Sequence, residues 1–133
     1  SRKQNIEIGF RIKDLSGEKL ITELISYQIS PAHIKRITRR TGNKIEDSFI
    51  TESKDKVKFR IKPLLLTKSE TKRSILANLR RESRKLIIEN AQKTEFINLI
   101  QSLIPYQLQK DIKNSLKKIY PLAIYEIRVL EKI

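Results

Sequence analysis

The sequence predicts an α+β fold: a β-rich body, barrel-like or a strongly twisted sheet, with one short helix after the second strand and a helical segment before the last. Three observations carry this. Apolar residues alternate at a period of two through most of the first 66 residues. From about residue 67 to 119 they follow the helical period, with start and stop residues in place. The last residues alternate again, so the chain closes on a strand that returns to the sheet.

Ile6, Ile8, Phe10 and Ile12 alternate with Glu7, Arg11 and Lys13, giving a half-buried first strand. Asp14-Leu15-Ser16-Gly17 turns the chain into a second strand from Lys19 to Gln28. Ser30-Pro31 is an N-cap followed by proline in the first helical position; this helix extends to Arg40 and stops at Gly42. A third strand covers Lys44 to Thr51, and Ser53-Lys54-Asp55 turns it into a fourth, Lys56 to Leu66. Thr67 and Glu70 fit a capping box, with Ser69 and Thr71 as rival caps, for a helix reaching Gln92. Thr94 with Glu95 starts a short helix that ends before Pro105, and another runs from Tyr106 to Ile119 until Tyr120-Pro121 breaks it. Ala123, Tyr125, Ile127 and Val129 form the buried set of the closing strand. With no internal repeat and no linker, residues 1–133 read as a single domain.

Composition excludes several classes. The absence of cysteine rules out a disulfide framework and any Cys-based metal or redox site. No apolar stretch approaches the roughly 18 residues of a spanning helix, and no signal peptide opens the chain. Ser1 without a preceding Met indicates a processed start or a fragment. The informative quantity is charge: 29 Lys+Arg against 15 Asp+Glu, a net of +14, which attracts polyanions.

The placement of the cations says more than their number. In the fourth strand Lys56, Lys58, Arg60 and Lys62 share one face, opposite Val57, Phe59 and Ile61. They repel one another, and an external polyanion relieves that repulsion. On the helix from Pro31, Lys35, Arg36, Arg39 and Arg40 lie opposite Ile34, Ile37, Thr38 and Thr41; arginine forks suit phosphate oxygens. On the long helix Ile75, Leu76, Leu79, Leu86 and Ile87 make the buried stripe. Lys72 and Arg73 near its start, then Arg80, Arg81, Arg84 and Lys85, carry the charge, and Ile88 projects among them. Glu82 and Glu89 can pair with neighbouring cations for a few tenths of a kcal/mol each, which leaves several arginines unpaired. Lys110, Lys113 and Lys117, opposite Leu108, Ile112, Leu116 and Ile119, are a commonplace solvated face.

Catalytic signals are missing. His33 has no nucleophile or orienting group near it in sequence, and Glu46 and Asp47, adjacent on a strand, point to opposite faces. No phosphate loop, zinc spacing or calcium loop is present, so no cofactor and no metal is expected. The aromatics are scattered singly, with no platform for stacking bases, which favours structured RNA read through shape and phosphates. The apolar stripes all have a use inside a small domain, so neither a membrane nor a small-molecule substrate is expected.

Several stretches in one order carry a family resemblance. They are Thr38-Arg39-Arg40-Thr41 with Lys44-Ile45-Glu46-Asp47, then Val57-Lys58-Phe59-Arg60-Ile61-Lys62-Pro63, the basic run from Lys68 to Lys85, and Lys117-Lys118-Ile119-Tyr120-Pro121-Leu122. Together they resemble the archaeal and eukaryotic small-subunit ribosomal proteins called S-one-e, or S-three-a in older usage. The resemblance implies a barrel-like body with packed helices, on the platform of the small subunit near the mRNA exit and the 3′ end of its rRNA. It implies small-subunit rRNA and neighbouring platform proteins as partners, in the cytoplasm. Family members have a basic segment before the first strand seen here, and this chain is expected to lack it. The reading is therefore a non-catalytic constituent of the small subunit that binds rRNA electrostatically. Its rivals are a free RNA-binding regulator or ribosome-associated factor, and a nuclease using Glu46 or Asp47 with a metal.

Overall fold

The computed structural model describes residues 2–16, 19–39 and 42–133, and the side chains of 4–12, 23–39 and 42–133. A single 3-10 turn over Arg2–Asn5 leads into β1 (Ile6–Ser16), which pairs antiparallel with β2 (Lys19–Ile29). Asp14-Leu15-Ser16, expected in the turn, belong to β1, and Gly17 lies outside the described residues. Then come α1 (Pro31–Ile37), β3 (Lys44–Glu46), β4 (Phe49–Glu52) and β5 (Lys58–Thr67). The helical segment is α2 (Arg73–Lys93), α3 (Phe96–Leu103) and α4 (Gln107–Leu116), and β6 (Leu122–Lys132) ends the chain. The sheet is antiparallel in the order β1-β2-β6-β5-β3, with β4 also on β5. It is not closed; the expected α+β class holds, with an open sheet and not a barrel.

Pro63 explains two departures from the expected strands. The third strand is interrupted at Asp47-Ser48, although Ile45↔Leu65 and Phe49↔Ile61 keep one register across the gap. Asp47 N–H donates to the Pro63 carbonyl at 3.3 Å, but proline has no N–H to return. On the other side of β5, Lys62 pairs with Val129 and Pro63 with Ile127, so Arg128 is an extra residue in β6. Such a bulge is where a proline inside a sheet is tolerated. It also shifts the alternation. Tyr125 and Ile127 are buried before it and Leu130 after it, whereas Ala123 and Val129, expected in the buried set, are only partly covered.

The first strand shows the expected alternation without the expected burial. Ile6 and Ile8 pack against the core, but Phe10 and Ile12 are 62% and 59% exposed. The reason is reach. β6 supports β2 only at Ser26–Gln28, so the far part of the β1–β2 hairpin extends past the sheet.

Local chemistry moves the helix ends. Ser30 Oγ caps α1 by accepting from His33 N–H at 3.3 Å, with Pro31 first in the helix, as expected. The helix stops at Ile37, short of Arg40, with Thr38 in the C-cap position, its N–H and its Oγ1 both donating to the Ile34 carbonyl, at 3.1 and 2.8 Å. Gly42 serves a different purpose from a helix stop: its φ is +124°, and a Cβ there would sit 2.0 Å from the Thr67 carbonyl oxygen. The capping box does not form. Thr67 is buried at the end of β5, where its hydroxyl accepts from Asn43 N–H at 2.7 Å and donates to the Ser69 carbonyl at 2.8 Å. Accordingly α2 starts at Arg73, with Lys72 in the N-cap position. Glu95, not Thr94, precedes α3, and its first N–H, from Phe96, donates to Asp55 Oδ1 at 3.1 Å. Tyr106 adopts φ +66° and caps α4, which ends at Leu116 and not at Ile119.

The core lies between the sheet and the helices. Leu79, Ser83, Ile87 and Ala91 recur every four residues on α2 and are buried. Leu76 and Ile75, expected with them, are partly covered, as is Ile88, which packs on the core instead of projecting among cations. Ser83 is tolerated there because it shares a 2.8 Å hydrogen bond with the buried Tyr125 hydroxyl. Tyr27, Phe59, Ile61 and Leu65 fill the sheet side, and Phe59 meets Phe96 of α3 at 5.6 Å between ring centroids. From Pro63 to Thr67 both alternating sets of β5 are buried.

Candidate nucleic-acid interface

Lys58, Arg60 and Lys62 alternate along β5 with buried Phe59 and Ile61. Lys56 does not join them. The strand starts at Lys58, while Lys56 sits in the preceding turn at φ +66°, with its Nζ 3.6 Å from Glu52. The face is thus three cations, not four. Arg60 donates to Ser48 Oγ at 3.5 Å and lies across from Glu131. Among the described residues, none of the three has a carboxylate within 4 Å.

On α1, Lys35 and Arg36 are exposed opposite buried Ile34, as the helical period requires. Arg36 Nη2 reaches Asn5 Oδ1 at 3.3 Å. Arg39 is exposed but beyond the helix end, and Arg40 lies outside the described residues.

On α2, Lys72, Arg73, Arg80, Arg81 and Lys85 are exposed. Arg81 donates to Asn78 Oδ1 at 3.2 Å. The expected Glu82 and Glu89 ion pairs are absent among the described residues. Arg84 is different: it forks onto Asp47, Nη2 to Oδ1 at 2.6 Å and Nε to Oδ2 at 3.1 Å, with its guanidinium 4.7 Å from the Phe49 ring centroid. That geometry gives Arg84 a use in joining α2 to the β3–β4 break. Burial pushes the Asp47 carboxyl up, but the hydrogen bonds from Arg84 and Ser48 N–H and the charges of Arg84 and Arg80 outweigh it, leaving it below its ordinary value. On α4, Lys113 is likewise structural, donating to the Ala123 carbonyl at 3.2 Å; burial, then Lys117 and Lys68, push its ammonium down.

Lys44 joins two of these patches. One cleft, between α1 and the sheet, is lined by Lys35, Lys44 and Arg128 among others. A second, between β3 and α2, is lined by Lys44, Arg73 and Arg80. Cations from α1, the edge strand β3 and α2 therefore form one continuous tract, while Lys58, Arg60 and Lys62 line neither cleft. Lys44 and Arg128 were missed as candidates. The alternation of charged Lys44 and Glu46 about apolar Ile45 was the sequence signal for the first; a bulge hid the second.

The carboxylates suggested for a nuclease are held by cations: Asp47 by Arg84, and Glu46 by Lys44 at 3.1 Å and Arg128 at 3.8 Å. Among the described residues no three His, Cys, Asp or Glu side chains gather as a metal site, and no helix is long and apolar enough to cross a membrane.

Similarity to known proteins follows the same lines. The model of the Ribosomal S3Ae family matches residues 1–133. The small ribosomal subunit protein eS1 of Methanothermobacter thermautotrophicus is 29% identical over 133 residues, covering 98% of this chain and 68% of that protein. Its namesake in Picrophilus torridus is 31% identical, covering 98% and 62%, and that of Archaeoglobus fulgidus 27%, covering 92% and 58%. The chain thus spans roughly three fifths to two thirds of the length of these relatives. With a family model matched from first residue to last, the chain belongs to the ribosomal S3Ae family.

Proposed function

We propose that this chain is a structural constituent of the small ribosomal subunit that binds small-subunit rRNA as a single domain, on the platform near the mRNA exit, beside other platform proteins. The observation that carries the reading is the tract in which Lys44 connects Lys35 of α1 to Arg73 and Arg80 of α2. Cations from three separate elements are spent on one surface, at a cost in repulsion that a phosphate backbone removes. Arg36, Arg39, Arg81 and Lys85 are further exposed cations outside the two clefts, and Lys58, Arg60 and Lys62 supply a second contact face. The names of the relatives support the ribosomal setting.

The test is salt dependence. If about six to eight phosphates are neutralised, log affinity for small-subunit rRNA falls against log salt with a slope of roughly −5 to −7. Binding that barely changes between low and physiological salt sinks the electrostatic reading. A high-salt wash separates the rival: a constituent stays with small subunits, and a free regulator or associated factor leaves.

A further inference from the structure

The cleft between α1 and the sheet has a property that a phosphate-binding surface does not need. It holds a carboxylate. Its volume is about 370 Å³, with Pro31, Ile34 and Val129 as apolar walls and Lys35, Lys44, Glu46 and Arg128 as polar groups. Ile34 is buried, so the wall it offers is fixed by the core. Glu46 stands between two cations, Lys44 at 3.1 Å and Arg128 at 3.8 Å, which orient it. A carboxylate only accepts hydrogen bonds and repels phosphate, so its complement is a group with N–H donors.

We infer that this cleft takes one unstacked guanine nucleotide of the RNA, its Watson–Crick edge on Glu46 and its phosphate on Lys35. The inference rests on the rRNA reading above. Apolar walls suit the faces of a base taken out of its stack, and Arg128 offers a planar guanidinium beside it. Guanine presents adjacent ring N–H and amino donors, which the two oxygens of Glu46 accept together. Uracil has no exocyclic amine, and inorganic phosphate has neither a base to fill the walls nor a donor edge. Lys35, on the α1 side of the cleft, supplies the charge that a nucleotide's phosphate needs. The cleft volume is within the range of roughly 300–1,000 Å³ of small-ligand sites.

The experiment is a nuclear magnetic resonance titration of the whole chain with GMP, IMP, UMP and inorganic phosphate. GMP is expected to shift the amide resonances of Ile34, Glu46 and Val129 saturably. IMP, which lacks the 2-amino group, binds more weakly, and UMP and phosphate leave the Ile34 and Val129 signals in place. Glu46→Gln, checked by a thermal melt for intact folding, weakens GMP roughly tenfold, the scale of one lost base-edge contact. GMP shifts no larger than those of UMP or phosphate, or GMP affinity unaltered by Glu46→Gln, overturn the inference. The failures are separable. Loss of the salt slope for rRNA overturns the rRNA reading, and absence of a GMP-specific shift with that slope intact overturns the guanine cleft alone.

Discussion

Arg84 and Asp47 form a two-point ion pair, at 2.6 and 3.1 Å, that ties the middle of α2 to the gap between β3 and β4. Pro63 leaves that gap without a donor, and Asp47 fills its own carboxylate with Arg84 and with Ser48 N–H at 2.8 Å. The pair is structural, and it determines how stability responds to acid.

Asp47 sits below its ordinary pKa, so its contribution is fully present above the unfolded value near 3.8 and is lost as pH falls through the lower folded value. Asp47→Asn is expected to cost about 1 kcal/mol or less at pH 7, because Arg84 is nearly half exposed and solvent screens the pair. Urea melts of parent and variant at pH 7 and pH 2.5 check this. Their difference shrinks toward zero in acid. An equal difference at both pH values would show that the pair contributes nothing through its charge.

Position in β5 separates core from contact. Phe59→Ala removes a fully buried ring that meets Phe96 and is expected to cost roughly 3–5 kcal/mol. Lys58→Ala and Arg60→Ala, one residue to either side, leave the melting curve nearly unchanged and weaken rRNA binding. Three equal losses of stability in denaturant melts would contradict the register.

The buried hydroxyls of Ser83 and Tyr125 are each other's partners at 2.8 Å, and burial pushes the Tyr125 phenol up, so it stays neutral. Ser83→Ala strands the phenol and is expected to cost about 1–3 kcal/mol. Tyr125→Phe in the same chain restores part of it, because no donor is then left without an acceptor. A double-mutant cycle reads this as a coupling of about 1 kcal/mol. Strict additivity would mean that the hydroxyls are satisfied elsewhere.

What the sequence made legible was whatever depends on near neighbours. The period of two through Phe59 and Ile61, the Ser30-Pro31 start of α1 and the stripe at Leu79 and Ile87 are local properties, and all stand in the fold. Misreadings arose where a distant residue decides. Thr67 looked like a cap because its commitment to Asn43, 24 positions away, cannot be seen locally. Arg84 looked like a free cation because its partner lies 37 positions earlier. Phe10 and Ile12 looked buried because alternation does not reveal that β6 stops supporting the hairpin. The cationic tract shares this character: the clusters on α1 and α2 were readable, but the lysine that connects them belongs to a strand whose place at the sheet edge only the fold supplies.

Arg128 acts as a phase changer. Tyr125 and Ile127 face the core before it and Leu130 after it, because one residue was inserted into a period of two. Were Arg128 paired as in a regular strand, Val129 and Glu131 would turn toward the core and Leu130 outward; the bulge is what lets Ile127 and Leu130, three positions apart, share the core face. The same insertion leaves Arg128 out of the pairing with β5, on the rim of the cleft beside α1.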